Sequence, residues 1–251
     1  MTFVLTCTMI VSALALVARI PVWTRSPWTR PLTLSVAAIL AMLVLRGTPA
    51  NDWYNSAVNA TESGWPANLP SVASNVARLA LTFAIVAHAL ISLQLARYLR
   101  FVIPGFVVSA VAMLAAYSAS DFTSTTGLDI GNPWEPMTYH WLILAGTEAI
   151  AVALLMWAVF VSLDGAEPGE RAVLLMWFTS ASFFAVGLIL RTVNVLEPGV
   201  TQFSGGLWPI TLTATLLFSA GVLTLAGQAC HRNRRRSKGA PRGMGRETSI
   251  R

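Results

Sequence analysis

Seven stretches of the chain consist mainly of apolar residues, and polar segments separate them. About 20 helical residues cross the ~30 Å hydrocarbon core of a bilayer, so stretches of this length predict transmembrane helices. The predicted helices cover residues 3–22, 31–46, 77–97, 101–119, 139–163, 171–191 and 207–229. The pattern predicts an all-α, polytopic membrane protein with a seven-helix transmembrane domain (residues 1–230) and a basic, disordered cytoplasmic tail (residues 231–251).

The composition agrees with a membrane protein. Hydrophobic residues make up 55% of the 251 residues and charged residues 11%, and the mean hydropathy is +0.63. Such a chain is too apolar for a soluble domain, a disordered protein or a nucleic-acid-binding domain. Its two cysteines, Cys7 and Cys230, lie at opposite ends and suggest neither a disulfide framework nor a metal site. We therefore expect no metal, no cofactor and no nucleic-acid partner.

The distribution of basic residues predicts the orientation in the membrane. The chain has 17 Lys and Arg against 11 Asp and Glu, and eight of the 17 lie in the segment from Arg232 to Arg251. With the N-terminus outside, the inner side carries 14 basic residues and the outer side three, which agrees with the positive-inside rule. We predict a bacterial plasma-membrane protein with its N-terminus outside and its C-terminus in the cytoplasm. The tail residues expected to contact anionic inner-leaflet lipids are Arg232, Arg234, Arg235, Arg236 and Lys238.

Two ionisable residues lie well inside the predicted helices, namely His88 in the third and Glu148 in the fifth. Burying such groups in a membrane is costly, so each is a candidate functional residue. If the two helices run inward from about residues 78 and 139, the two side chains lie at the same depth, about 14–15 Å below the outer boundary. A hydrogen-bonded pair could relay a proton or hold a ligand. The alternative is that both are neutral and bonded to nearby polar groups.

Three arginines lie at the outer ends of predicted helices, against the orientation bias: Arg46, Arg78 and Arg191. Guanidinium groups bind carboxylates and phosphates through two parallel hydrogen bonds, so the three could together hold an anionic ligand. They could equally contact lipid phosphates or acids of the outer loops, because charged side chains at helix ends reach the membrane surface easily.

Several functions are excluded by the residues that the sequence lacks. A retinal-binding rhodopsin needs a Schiff-base lysine in the seventh helix, but the only lysine is Lys238 in the tail. The chain has no H-E-x-x-H, G-x-S-x-G or P-loop motif. We therefore expect that the protein is not an enzyme.

The third predicted helix and the loop before it suggest a family. The run Pro66-Ala67-Asn68-Leu69-Pro70 through Asn75-Val76-Ala77-Arg78-Leu79, with Arg171 and Arg191 at the ends of the sixth helix, resembles an actinobacterial family of seven-helix integral membrane proteins. That resemblance implies a transporter or regulator of no established substrate. Many members continue into a C-terminal cytoplasmic domain, where this chain has its basic tail.

Together these observations favour a membrane-embedded sensor or transporter for a small molecule or ion, with His88 and Glu148 as its buried polar centre. The alternative is a non-catalytic scaffold or partner subunit that docks a membrane or cytoplasmic protein through its helix faces, outer loops or tail.

Overall fold

The computed structural model describes residues 2–23, 26–46, 53–57, 66–123, 135–196 and 207–239. Within these ranges, seven long α-helices carry the fold. Their bounds are α1 Thr2–Trp23, α2 Arg30–Arg46, α3 Leu69–Ser92, α4 Val102–Ser118, α5 Pro136–Leu163, α6 Pro168–Leu196 and α7 Leu207–Gly239. Short 3-10 turns at Pro27–Thr29, Ala96–Phe101 and Asp121–Thr123 lie next to α2 and α4.

Each of the seven helices carries a segment long and apolar enough to cross a membrane. The prediction of an all-α protein with seven membrane-spanning helices is thereby confirmed, and the chain is a multi-pass membrane protein whose helices contact the lipid bilayer. Because antiparallel spans alternate in direction, α1 begins and α7 ends at opposite faces of the bundle. We call these the N-terminal face and the C-terminal face. Which of them is cytoplasmic stays a prediction.

The largest difference from the sequence prediction concerns α3, which begins at Leu69 rather than at residue 77. Pro70 occupies the first turn, where the missing proline N–H costs nothing. The polar residues that made this stretch look like a loop are buried and bonded. Ser74 Oγ donates to the Met42 carbonyl oxygen at 3.0 Å, and the Asn75 amide bonds to His140. Tertiary contacts therefore extend the helix by two turns.

The ends of α3 and α7 also differ in detail from the prediction. Helix α3 stops at Ser92, where Gln94 takes a left-handed conformation with φ 58° and its N–H bonds to the Ile91 carbonyl. Helix α7 continues to Gly239, into the first part of the segment predicted to be disordered. Arginine is a strong helix former, which accounts for the extension. Residues 240–251 lie outside the described part.

Six of the helices form a closed ring, in the order α1, α2, α3, α5, α6, α7 and back to α1. Helix α4 lies outside the ring, packed on α3 and α5, and most of its surface is exposed. Side-chain hydrogen bonds join helices that are neighbours in the ring. Ser12 Oγ lies 2.9 Å from Ser219 Oγ, and Ser180 Oγ donates to the Ala214 carbonyl at 2.7 Å. The ring creates an interior in which side chains of several helices meet.

Candidate functional site

Glu148 on α5 and Arg78 on α3 form a buried ion pair. The Arg78 Nη2 atom donates to Glu148 Oε2 at 2.6 Å, and Arg78 Nε contacts Oε1. Only 3% of Arg78 and 8% of Glu148 is exposed. The pairing is two-pronged, as the planar guanidinium favours, and it fixes the orientation of both side chains.

Two further arginines approach this pair. Arg191 on α6 places Nη1 3.5 Å from Glu148 Oε2. Arg46, at the end of α2, interacts electrostatically with both Arg78 and Glu148. Its Cζ atom lies 5.0 Å from the centroid of the Trp208 ring, a cation–π contact that holds the guanidinium in place. Four helices of the ring therefore contribute to one cluster, which we call the Arg–Glu cluster: Arg46, Arg78, Glu148 and Arg191.

The Arg–Glu cluster lies well inside the bundle rather than at its surface. Arg78 was predicted to lie at a helix end, but α3 begins at Leu69. At the rise of an α-helix, Arg78 is therefore about 14 Å along α3. Glu148 lies in the middle part of α5, about 18 Å from the start of that helix. Arg46 does lie at a helix end, as predicted, and Arg191 lies in the last two turns of α6.

The structure does not bring His88 and Glu148 together. With α3 starting at Leu69, His88 is about 28 Å along the helix and roughly 10 Å deeper than Glu148. Its ring packs edge-to-face on Trp177, with 5.4 Å between the ring centroids. No hydrogen bond joins its buried Nδ1 atom to any described residue. Ala80 and Ala84, two turns and one turn before His88 on α3, line a lateral groove toward α2 and α4.

The charges of the Arg–Glu cluster do not cancel. The cluster holds three guanidinium groups and one carboxylate, which leaves an excess of two positive charges if all are ionised. Arg78 Nη1 is buried and lacks a hydrogen-bond partner in the described part of the chain. Arg191 Nη1 is buried as well and makes no hydrogen bond there beyond its long, 3.5 Å ion-pair contact with Glu148 Oε2. Buried charges without full hydrogen bonding are costly, and the cost falls when an anion accepts the free N–H groups.

A small cavity lies beside Glu148, on the side of the C-terminal face. Its volume is about 30 Å³, enough for one or two water molecules. Besides Glu148 it is lined by Thr82 and by apolar side chains, including Leu155 and Ala181. From Glu148 to Leu155 the cavity follows α5 for about 10 Å. A water-sized space therefore reaches the carboxylate.

A second buried polar group was not recognised in the sequence. His140 is fully buried; its Nδ1 lies 2.9 Å from the Met113 carbonyl oxygen and its Nε2 lies 3.1 Å from the Asn75 amide nitrogen. Because a carbonyl only accepts, Nδ1 carries the proton, and Nε2 accepts from Asn75. The histidine thus joins α3, α4 and α5. It was overlooked because it lies next to the predicted start of its helix, where a polar residue needs no explanation.

The predicted lipid contacts of the tail stay predictions. Residues Arg232 to Lys238 belong to the last turns of α7, but their side chains lie outside the described part of the structure. Among the described residues, no group of three His, Cys, Asp or Glu side chains could hold a metal ion.

Comparison of the chain with protein families, with curated proteins and with solved structures found no match. The resemblance to the actinobacterial seven-helix family therefore depends only on the residues given for it above.

Proposed function

We propose that this multi-pass membrane protein binds a small anion at its Arg–Glu cluster and acts as a membrane-embedded sensor or transporter of that anion. We assign no enzymatic reaction to it. The observation that carries the proposal is the excess of guanidinium groups over carboxylates at membrane depth. A buried N–H donor of Arg78 has no hydrogen-bond partner among the described residues, and the buried Nη1 of Arg191 reaches Glu148 only at 3.5 Å.

Guanidinium chemistry defines the class of ligand. A carboxylate or a phosphate accepts two parallel N–H bonds from one arginine, and it can bridge to a second. Three arginines on different helices would surround such a group. Because Arg78 is nearly inaccessible, a small solute fits this position better than a lipid phosphate, whose headgroup stays at the membrane surface.

Glu148 is the internal competitor of the ligand. Its two oxygens occupy donors of Arg78 and neutralise one of the positive charges, which lowers the cost of the cluster when no ligand is bound. An incoming anion would share or displace this carboxylate. The exchange would change the contacts between α3, α5 and α6, which is the movement that a sensor or transporter requires.

Binding is tested by thermal denaturation of the purified protein in detergent, with inorganic phosphate or acetate added at constant ionic strength. A bound ligand raises the midpoint as its concentration exceeds the dissociation constant. We expect Arg191→Gln to weaken binding of the preferred anion at least tenfold, because it removes a charged donor. Glu148→Gln should bind the anion more tightly than the unaltered protein, because the competitor is neutralised.

The controls are Arg171→Gln, an exposed arginine at the start of α6 outside the cluster, and His88→Phe. Both should bind as the unaltered protein does. The proposal would be contradicted, and the scaffold function favoured, if neither phosphate nor acetate stabilised the protein. The same holds if Arg191→Gln bound the anion as tightly as the unaltered protein does. If binding is found, anion uptake into liposomes separates a transporter from a sensor.

A further inference from the structure

A lateral groove opens between α2 and α4 over the alanine-rich face of α3. Its volume is about 630 Å³, within the range of known ligand sites. Its walls are apolar and include Ala38 and Ala41 of α2, Ala80 and Ala84 of α3 and Phe106 of α4. Small side chains on α2 and α3 leave space that larger ones would fill.

The groove extends through only half of a membrane. On α2 it runs from Pro31 to Ala41, and on α3 from Ala77 to Ala87. About ten residues of helix correspond to about 15 Å, half of the ~30 Å hydrocarbon core. A transmembrane helix of a partner protein would need the full thickness. An acyl chain of one leaflet needs half of it.

Basic residues lie next in sequence to residues that line the groove at its C-terminal-face end. Leu99 lines the groove between the exposed residues Arg97 and Arg100, and Arg30 directly precedes the lining residue Pro31. Arg97 and Arg100 lie over the rings of the residues that follow them in sequence, at 4.8 Å in each case. The Arg30 Nε atom donates to the Trp23 carbonyl oxygen at 3.2 Å. Three exposed arginines therefore lie near the end of the groove where the headgroup of a lipid would lie.

A second groove flanks the other side of α2. It has a volume of about 400 Å³, is lined by residues of α1 and α2 including Leu16 and Ile20, and shares Leu34 and Ala37 with the first groove. Both grooves lie along α2 between Pro31 and Ala41. Two such grooves separated by one helix match the two acyl chains of a phospholipid.

We infer that the segment of α2 from Pro31 to Ala41 is a binding site for one anionic phospholipid of the leaflet at the C-terminal face. One acyl chain lies in the α2–α3–α4 groove and the other in the α1–α2 groove, and the phosphate is held by Arg30, Arg97 and Arg100. This site is separate from the Arg–Glu cluster and does not depend on the proposed anion function.

Native mass spectrometry of the full chain in detergent tests the site, with phosphatidylglycerol and phosphatidylcholine as probes. We expect one phosphatidylglycerol to stay bound at energies that remove other lipids, and phosphatidylcholine to bind at least fivefold more weakly. Ala80→Leu, which fills the groove, and the surface double variant Arg97→Gln/Arg100→Gln should each lower phosphatidylglycerol binding at least fivefold.

Matched controls are Ala115→Leu on the exposed side of α4 and Arg171→Gln at the same face of the bundle, which should bind phosphatidylglycerol unchanged. Because the double arginine variant alters only exposed side chains, its folding should be unaffected. Equal binding of the two lipids, unchanged binding in the double variant, or a dimer that excludes lipid would each overturn the inference.

Discussion

Individual side chains explain where the polar chemistry of this protein lies. An arginine or a glutamate alone inside a membrane is costly, and removing one partner of a buried pair typically costs about 3–5 kcal/mol. Arg78 and Glu148 lower this cost for each other through two contacts. The sequence identified every member of the Arg–Glu cluster as a candidate, but it paired Glu148 with His88. The correct pairing depends on where α3 begins, and buried polar contacts decide that start.

The two histidines of the bundle interior should differ in their effect on stability. His140→Phe removes two hydrogen bonds and leaves the buried Asn75 amide without its acceptor, so we expect a loss of about 1–3 kcal/mol in the free energy of unfolding. His88→Phe keeps a ring against Trp177 and should change stability by less than about 0.5 kcal/mol. Chemical denaturation in detergent micelles measures both values. A larger loss of stability for His88→Phe than for His140→Phe would contradict this difference between the two histidines.

At the scale of the helices, close packing depends on small residues at defined positions. Trp177 of α6 packs on Gly221 of α7, where a Cβ atom would lie 2.5 Å from Nε1 of the indole ring. The same nitrogen donates to the Phe218 carbonyl at 3.3 Å. The tryptophan therefore occupies the space that a side chain at residue 221 would need, and it fixes the contact between α6 and α7.

We expect Gly221→Ala to destabilise the protein by about 1–3 kcal/mol, because the new methyl group must displace a packed ring. Gly227→Ala is the matched control on the same helix, since a Cβ there would meet no other part of the described structure within 4 Å beyond the adjoining backbone of α7. It should be neutral or slightly stabilising through the higher helix propensity of alanine. Thermal midpoints of the two variants provide the comparison, and equal midpoints would show that the ring is not tightly held.

At the scale of the whole molecule, the closed ring brings α2, α3, α5 and α6 to a common interior. Three of the four helices contribute an arginine and one contributes the glutamate. Helix α4 lies outside the ring and leaves the groove beside α2 open. The fold therefore separates a polar interior near the N-terminal face from an apolar, lipid-facing groove near the C-terminal face.

The predicted orientation is tested with single cysteines in a background that lacks Cys7 and Cys230. Ser56 lies beyond the end of α2, at the N-terminal face, and Gln94 follows α3 at the C-terminal face; both are exposed. Because the basic residues favour a cytoplasmic C-terminus, a membrane-impermeant maleimide should label Ser56→Cys in intact cells. It should label Gln94→Cys only after permeabilisation. The reverse labelling pattern would invert the topology.

The sequence by itself determined the number of membrane-spanning helices, because the length and apolarity of a span follow directly from the thickness of the bilayer. It also identified Glu148 as a charged residue inside a span, since the cost of such a residue in lipid does not depend on its partner. Only the tertiary structure decided which of these residues meet. From the sequence, the stretch that contains Ser74 and Asn75 is predicted to be a loop. In the structure it is helical, because Met42 and His140 accept the hydrogen bonds of these two side chains. The resulting two-turn shift brings Arg78, rather than His88, to the level of Glu148.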